Sequence, residues 1–92
     1  MNKKIFKYTL KVDGDLQKIL MDNEGEILTV QIQNDEITMW VLVNPEKNTE
    51  ERYFEVFGTG HSIYYDMGID RKYINTCQDS LGLVWHVFER TN

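Results

Sequence analysis

Glu26-Ile27-Leu28-Thr29-Val30-Gln31-Ile32-Gln33-Asn34-Asp35-Glu36-Ile37-Thr38-Met39-Trp40-Val41-Leu42-Val43 is the stretch that decides the fold. Apolar and polar residues alternate on both sides of Asn34-Asp35, the period of strands rather than of helices. Asn and Asp tolerate positive φ better than other non-glycine residues, so a two-residue hairpin turn fits between them. Such a turn sets Ile32 opposite Ile37, Val30 opposite Met39 and Leu28 opposite Val41, all on one apolar face. The other face then pairs Gln31 with Thr38, Thr29 with Trp40, and Ile27 with Leu42. A slip by one residue mixes the two sets, which favours this register. The second face is itself apolar toward its outer end, which suggests burial on both sides there, by a partner chain.

Outward from the hairpin the same alternation recurs. Ile5 to Val12 sets Phe6, Tyr8, Leu10 and Val12 against Lys7, Thr9 and Lys11. Asp13-Gly14-Asp15 supplies turn chemistry, Leu16 to Met21 a short strand, and Asp22 to Gly25 a second turn. After the hairpin, Pro45 discourages strand continuation in a loop through Asn48. Glu50 to Phe57 reads as a strand with Phe54 and Val56 on one side and Tyr53, Glu55 and Phe57 on the other. Ser62 to Lys72 is irregular. Tyr73 to Gln78 and Leu83 to Glu89 form a closing hairpin around Asp79 to Gly82. Both faces of its last strand are apolar, which belongs in the middle of a sheet or between layers. About seven short strands with regular turn signals predict an all-β, mainly antiparallel chain. The expected architecture is a small sandwich or partly open barrel forming a single domain over residues 1–92, with at most one short helical turn near 64–72.

Composition narrows the chemistry. A chain of 92 residues buries a modest share of its surface, and such domains are commonly supplemented by disulfides, metals or oligomerisation. Cys77 is the only cysteine, so an internal disulfide is excluded and no spacing suggests a metal or other cofactor. Homo-oligomerisation is the expected supplement. The basic N-terminus lacks an apolar stretch of signal-peptide length, and no window suits a membrane span. With a free cysteine, this favours the cytoplasm. Fifteen acidic against ten basic residues give a formal charge of −5, which argues against duplex nucleic acid as a partner. A small anionic ligand such as a nucleotide, or another protein that offers a basic groove, remains compatible with it.

The most distinctive local feature is Gly58-Thr59-Gly60-His61. Two glycines around a threonine can present backbone N–H groups to an anion, with Thr59 and His61 adding side chains and Arg52 on the preceding strand adding charge. The structural alternative is a bulge or turn where glycines relieve positive φ. The loop lacks the lysine spacing and following helix of a phosphate-binding loop of the Walker type. His86, inside Trp85-His86-Val87-Phe88, reads as a satisfied core or interface histidine, or as a member of a site with His61. Tyr64 and Tyr65, beside Arg71, suit a recognition surface or a cover over the core. Ser62, Ser80 and Cys77 lack the neighbours that activate a nucleophile, so no catalytic residue is assigned.

Three stretches together resemble a known family: Trp40-Val41-Leu42-Val43-Asn44-Pro45, Glu50-Glu51-Arg52 with Phe57-Gly58-Thr59-Gly60-His61, and the terminal Gly82-Leu83-Val84-Trp85-His86-Val87-Phe88-Glu89. This is a family of small uncharacterised proteins of bacteriophages and prophages. The resemblance runs from Phe6 to Glu89, and its most specific parts are the GTGH loop and the WHVFE strand. The chain departs from the pattern over Ser62 to Lys72. The resemblance implies a phage accessory protein that binds a host protein as an inhibitor or in counter-defence, and is not an enzyme. The alternatives are an oligomeric pocket protein that sequesters a small anionic ligand through Arg52, Gly58, Thr59, Gly60, His61, Tyr64 and His86, a small hydrolase, or a minor virion component.

Overall fold

A computed structural model describes residues 2–92. The chain forms seven strands: β1 (Lys4–Leu10), β2 (Gln17–Met21), β3 (Glu26–Gln33), β4 (Glu36–Val43), β5 (Glu50–Gly58), β6 (Arg71–Gln78) and β7 (Val84–Arg90). All pairings are antiparallel, in a three-stranded sheet ordered β1-β4-β3 and a four-stranded sheet ordered β2-β5-β7-β6. The two sheets stack as a sandwich and do not close into a barrel. Asp66 and Ile69 close a turn in the 62–70 segment, through the Ile69 N–H and the Asp66 carbonyl, 3.1 Å apart. It does not become a helix.

The deciding hairpin turns where its sequence places the turn. Asn34 and Asp35 have φ of 51° and 60°, the two positive values that a type I′ turn requires. Near the turn the register is as expected, with Ile32 opposite Ile37, Val30 opposite Met39, Gln31 opposite Thr38 and Thr29 opposite Trp40. Beyond Thr29 it changes, because a bulge lies between Ile27 and Thr29. Val41 therefore faces Ile27 rather than Leu28, and Leu42 faces Glu26 rather than Ile27. One extra residue reverses the inward and outward sense of everything past it. Ile27 turns to pack against the core, and Leu28 is left 45% exposed.

The core takes Leu10, Val30, Ile37, Met39, Val41 and Val43 from one sheet and Met21, Phe54, Val56 and Val87 from the other. Burying a side chain such as Phe54 contributes about 1.5–3 kcal/mol. β7 is an inner strand, as its two apolar faces anticipated. Val87 is buried between the sheets, while Phe88 meets the edges of Phe57 and Tyr73 on the outside, ring centroids 5.9 and 5.6 Å apart. At one margin of the sandwich β3 and β6 run side by side, bridged by Asn75 Nδ2, which donates to the Val30 carbonyl at 3.1 Å. At the other margin β1 and β2 are the terminal strands of their sheets.

Two aspartates hold turns in place. Asp22 accepts the Glu24 N–H through one carboxylate oxygen and the Asn44 N–H through the other, both at 2.9 Å, tying the β2–β3 turn to the end of β4. Asp79 accepts the Trp85 indole N–H at 3.0 Å and the N–H groups of Leu81 and Leu83. The backbone donors from Asn44 and Glu24 hold the Asp22 carboxyl below its ordinary range, and the Trp85 indole does so first for Asp79. A carboxyl whose pKa is depressed by folding contributes stability above its unfolded pKa and loses it as pH falls through the folded value. Stability to urea is therefore expected to decline below about pH 4. The combined Asp22→Asn, Asp79→Asn variant should show a flatter pH dependence in that window, measured as the urea midpoint against pH.

Candidate functional site

The distinctive GTGH loop is a tight turn at the end of β5. The His61 N–H donates to the Gly58 carbonyl at 3.1 Å, and Gly60, third of the four residues, has φ of 89°. These are the marks of a type II turn, whose third position favours glycine. His61 folds back so that its Nδ1 accepts the Gly58 N–H at 3.2 Å, and its ring meets Trp85 edge-on with centroids 6.4 Å apart. A Cβ on Gly58 would lie 2.8 Å from the His61 ring, so glycine is needed there for the histidine to lie flat on the strand. The Thr59 N–H donates to the Val84 carbonyl at 3.2 Å. Three of the four loop N–H groups thus have internal acceptors, and the loop does not present a row of free amides to an anion.

Thr59 and His86 do meet. Thr59 Oγ1 lies 2.8 Å from His86 Nε2, His86 Nδ1 lies 3.0 Å from Thr76 Oγ1, and Thr76 Oγ1 lies 2.6 Å from the Tyr73 hydroxyl. This chain runs over the outer face of the four-stranded sheet. Each hydroxyl can donate or accept, so both neutral tautomers and the imidazolium of His86 are accommodated. It anchors the GTGH turn to β6 and β7. Thr76 and Tyr73 escaped sequence reasoning because the pairing of Thr76 with His86 is set by a β6 bulge between Tyr73 and Asn75. His61 and His86 do not form one site. The His61 ring occupies the side toward which Gly58 and its partner Trp85 point, whereas His86 pairs with Phe57 and points the opposite way. The cleft that holds Thr59 is lined by Gly58, His61, Gly82, Leu83, Val84 and Trp85, and His86 is not among its lining residues.

Arg52 is remote from the loop and fully engaged. Its Nε and Nη2 grip Glu89 at 2.7 and 2.8 Å, and its Nη1 donates to the carbonyls of Gly25 and Asp22 at 2.8 and 3.2 Å. The guanidinium staples β5 to β7 and to the β2–β3 turn. Tyr64 contributes its carbonyl to Arg71 and leaves its side chain exposed. The site residues expected from sequence therefore separate into a structural staple (Arg52), a self-contained turn (Gly58, Gly60, His61), a hydroxyl–imidazole chain (Thr59, His86) and a solvent-facing tyrosine (Tyr64). Among the described residues no group of three or more His, Cys, Asp or Glu side chains is placed to hold a metal ion, and no helix is long and apolar enough to cross a membrane.

A different surface carries the features of a binding face. Among the described residues no layer covers the outer side of the three-stranded sheet. Ile5 is opposite Leu42 and Lys7 opposite Trp40 on β1–β4, while Thr29 is opposite Trp40 on β3–β4. Leu28, expelled by the bulge, joins them. Ile5, Leu28, Thr29, Gln31 and Trp40 line a shallow depression of about 350 Å³. Ile5 is 57% exposed. Apolar side chains gathered in an open depression with polar neighbours are the composition of an interaction surface. The alternation of the hairpin signalled its apolar character; the contributions of Ile5 and Leu28 needed the pairing and the bulge.

The family model for a domain of unknown function, DUF7352, matches residues 1–92. The chain belongs to the DUF7352 family. Neither a curated protein nor a solved structure matches it. The family assignment covers the whole DUF7352 sandwich, the apolar outer face and the GTGH turn alike.

Proposed function

We propose that this DUF7352 protein is a non-enzymatic binding protein of bacteriophage type, which docks on a host protein in the host cytoplasm and acts as an inhibitor or counter-defence factor. The phage setting rests on the resemblance of the GTGH and WHVFE segments. The binding role is supported by one observation above all: the uncovered apolar face made by Ile5, Leu28, Trp40 and Leu42. Leaving Leu28 outside a core with room for Ile27 instead is unfavourable for an isolated domain, and a partner that covers it recovers the lost burial. The GTGH loop offers little support for a captured anion, since its amides and Arg52 are already used within the fold.

A photo-crosslinking side chain at Leu28, introduced in the full chain and irradiated in host cells, tests this. A discrete adduct with a host protein is expected from position 28. The same group at Leu20, exposed on β2 of the other sheet, should not give it. Identical adducts from both positions, or an adduct of twice the chain mass, would replace the host-protein reading with unselective contact or with self-association.

A further inference from the structure

The charges of the chain are unevenly satisfied. Lys18, Lys47, Arg52, Arg71 and Arg90 each form an ion pair with a carboxylate. Among the described residues Lys3, Lys4, Lys7, Lys11 and Lys72 form none; Lys72, on β6, lines a cleft together with Glu26 and Glu89, and the other four lie on β1 or beside it. No Asp or Glu occurs between positions 1 and 12, although the chain carries −5 overall. Lys7 donates only to the neutral amide of Gln33, at 2.9 Å. Near Lys11 the carboxylates of Asp13, Asp35 and Glu36 gather around the same end of the sandwich. The uncompensated charge is therefore that of Lys3, Lys4 and Lys7.

These lysines sit on a free edge. β1 pairs with β4 on one side only, in unbroken register from Lys4 to Leu10, so its other side carries backbone donors and acceptors with no strand beside them. The second free edge, β2, is shorter, and its Lys18 is already paired with Glu51. β3 and β6, the remaining terminal strands, run side by side and each carries a bulge, so among the described residues regular geometry, free ladder groups and unpaired positive charge coincide on β1 alone.

We propose that the β1 edge accepts an extended acidic segment of a partner protein as an added strand. This deepens the binding role proposed above by naming the chemistry of the partner, and it rests on that role. Backbone groups of the incoming strand would complete the ladder, and its side chains would alternate between the two faces of the sheet. Lys7 and Ile5 point to the outer face, so a carboxylate and an apolar residue on that side meet them in turn. Lys4 meets a carboxylate on the other side. Edge lysines also act against self-pairing, because two antiparallel copies of β1 would bring lysines together. An acidic strand removes that repulsion, so the same residues that reject a second copy select the partner.

The probes are synthetic ten-residue peptides titrated into the isotopically labelled full chain at low salt, with backbone amide shifts as the readout. One alternates Glu with Val and Thr, one carries Lys in place of Glu, and one is the acidic peptide with a central Pro. The alternating acidic peptide is expected to shift the amides of Lys4 to Leu10 and to slow their hydrogen exchange. The Lys peptide and the Pro-interrupted peptide should bind at least tenfold more weakly. The Lys4→Glu, Lys7→Glu variant should keep its fold, lose at least tenfold in affinity for the acidic peptide and weaken the Leu28 crosslink to the host protein with it. Equal binding of the Pro-interrupted peptide or of a single-stranded oligonucleotide would overturn the proposal in favour of simple charge attraction. So would a Lys4→Ser, Lys7→Ser variant that dimerises while the native chain binds no peptide, since the lysines would then serve only to keep copies apart. Failure of the peptide with a persistent Leu28 adduct would sink the edge proposal and leave the binding role standing.

Discussion

Arg71→Met is expected to lower the unfolding free energy by about 3 kcal/mol, a large share of the stability of a domain this size. The reason is the burial of its partner. Glu55 and Arg71 side chains are 8% and 4% exposed, joined by Arg71 Nε to Glu55 Oε1 at 2.7 Å and Nη2 to Oε2 at 3.3 Å. Taking away the guanidinium leaves a carboxylate out of water with only Arg90, 3.6 Å away, to offset it. Losing one member of a buried pair costs more than replacing both. The Glu55→Leu, Arg71→Met double variant should therefore recover most of the loss in a urea titration, and its failure to do so would show that the pair is not what Arg71 supplies.

The same substitution has a second consequence, for dynamics. Arg71 also donates to the Tyr64 carbonyl at 2.5 Å, and its guanidinium lies 4.8 Å from the centre of the Tyr65 ring and 5.5 Å from that of Phe57. One side chain thus fixes the 62–70 segment over the outer face of the four-stranded sheet. That segment has few other ties, so Arg71→Met should raise amide exchange across Ser62 to Asp70 well before the sheets open. Glu55→Gln keeps the shape and the Tyr65 stacking and should leave the segment in place.

Arg52→Met should cost a similar amount, about 3 kcal/mol, by a different route. Arg52 and Glu89 are each 13% exposed, and the pair is bidentate, the stronger geometry for a carboxylate. Beyond Glu89, Arg52 satisfies the carbonyls of Gly25 and Asp22, which belong to a turn and not to a ladder. Gly25 is packed so tightly that a Cβ would lie 2.9 Å from a Val41 methyl and 3.0 Å from the Asp22 carbonyl oxygen. Removal of Arg52 therefore takes the guanidinium donor from the Gly25 carbonyl where the chain has no room to rearrange, while the Asp22 carbonyl keeps the Gly25 N–H at 2.9 Å. Here the Arg52→Met, Glu89→Leu double variant should recover only part of the loss, because the Gly25 carbonyl stays without its guanidinium donor. Comparing the two double variants separates a pair that matters for charge from one that also builds a turn. Full recovery at Arg52 would show that its carbonyl contacts contribute nothing.

Period-two alternation, turn residues at Asn34-Asp35 and Asp79 to Gly82, and the two apolar faces of the last strand determined the strand count, the antiparallel class and the inner position of β7. These are local properties: each strand needs only its own pattern and the turn beside it. Tertiary structure decided the rest. The bulge at Leu28 depends on which of two neighbouring apolar residues best fills the space against the second sheet, and alternation by itself cannot choose. Glu55 looks like a solvated residue in the sequence and is buried because Arg71, sixteen positions on, closes over it. Arg52 looks free to bind a ligand until Glu89 is brought beside it by the pairing of β5 with β7. His61 and His86 part company because adjacent residues of a strand point to opposite faces. The unpaired charge of Lys3, Lys4 and Lys7 was legible in the sequence as a basic start, but its meaning came from the sheet order, which leaves β1 as an open edge. A sequence records which charges exist; only long-range pairing determines which of them are left without a partner.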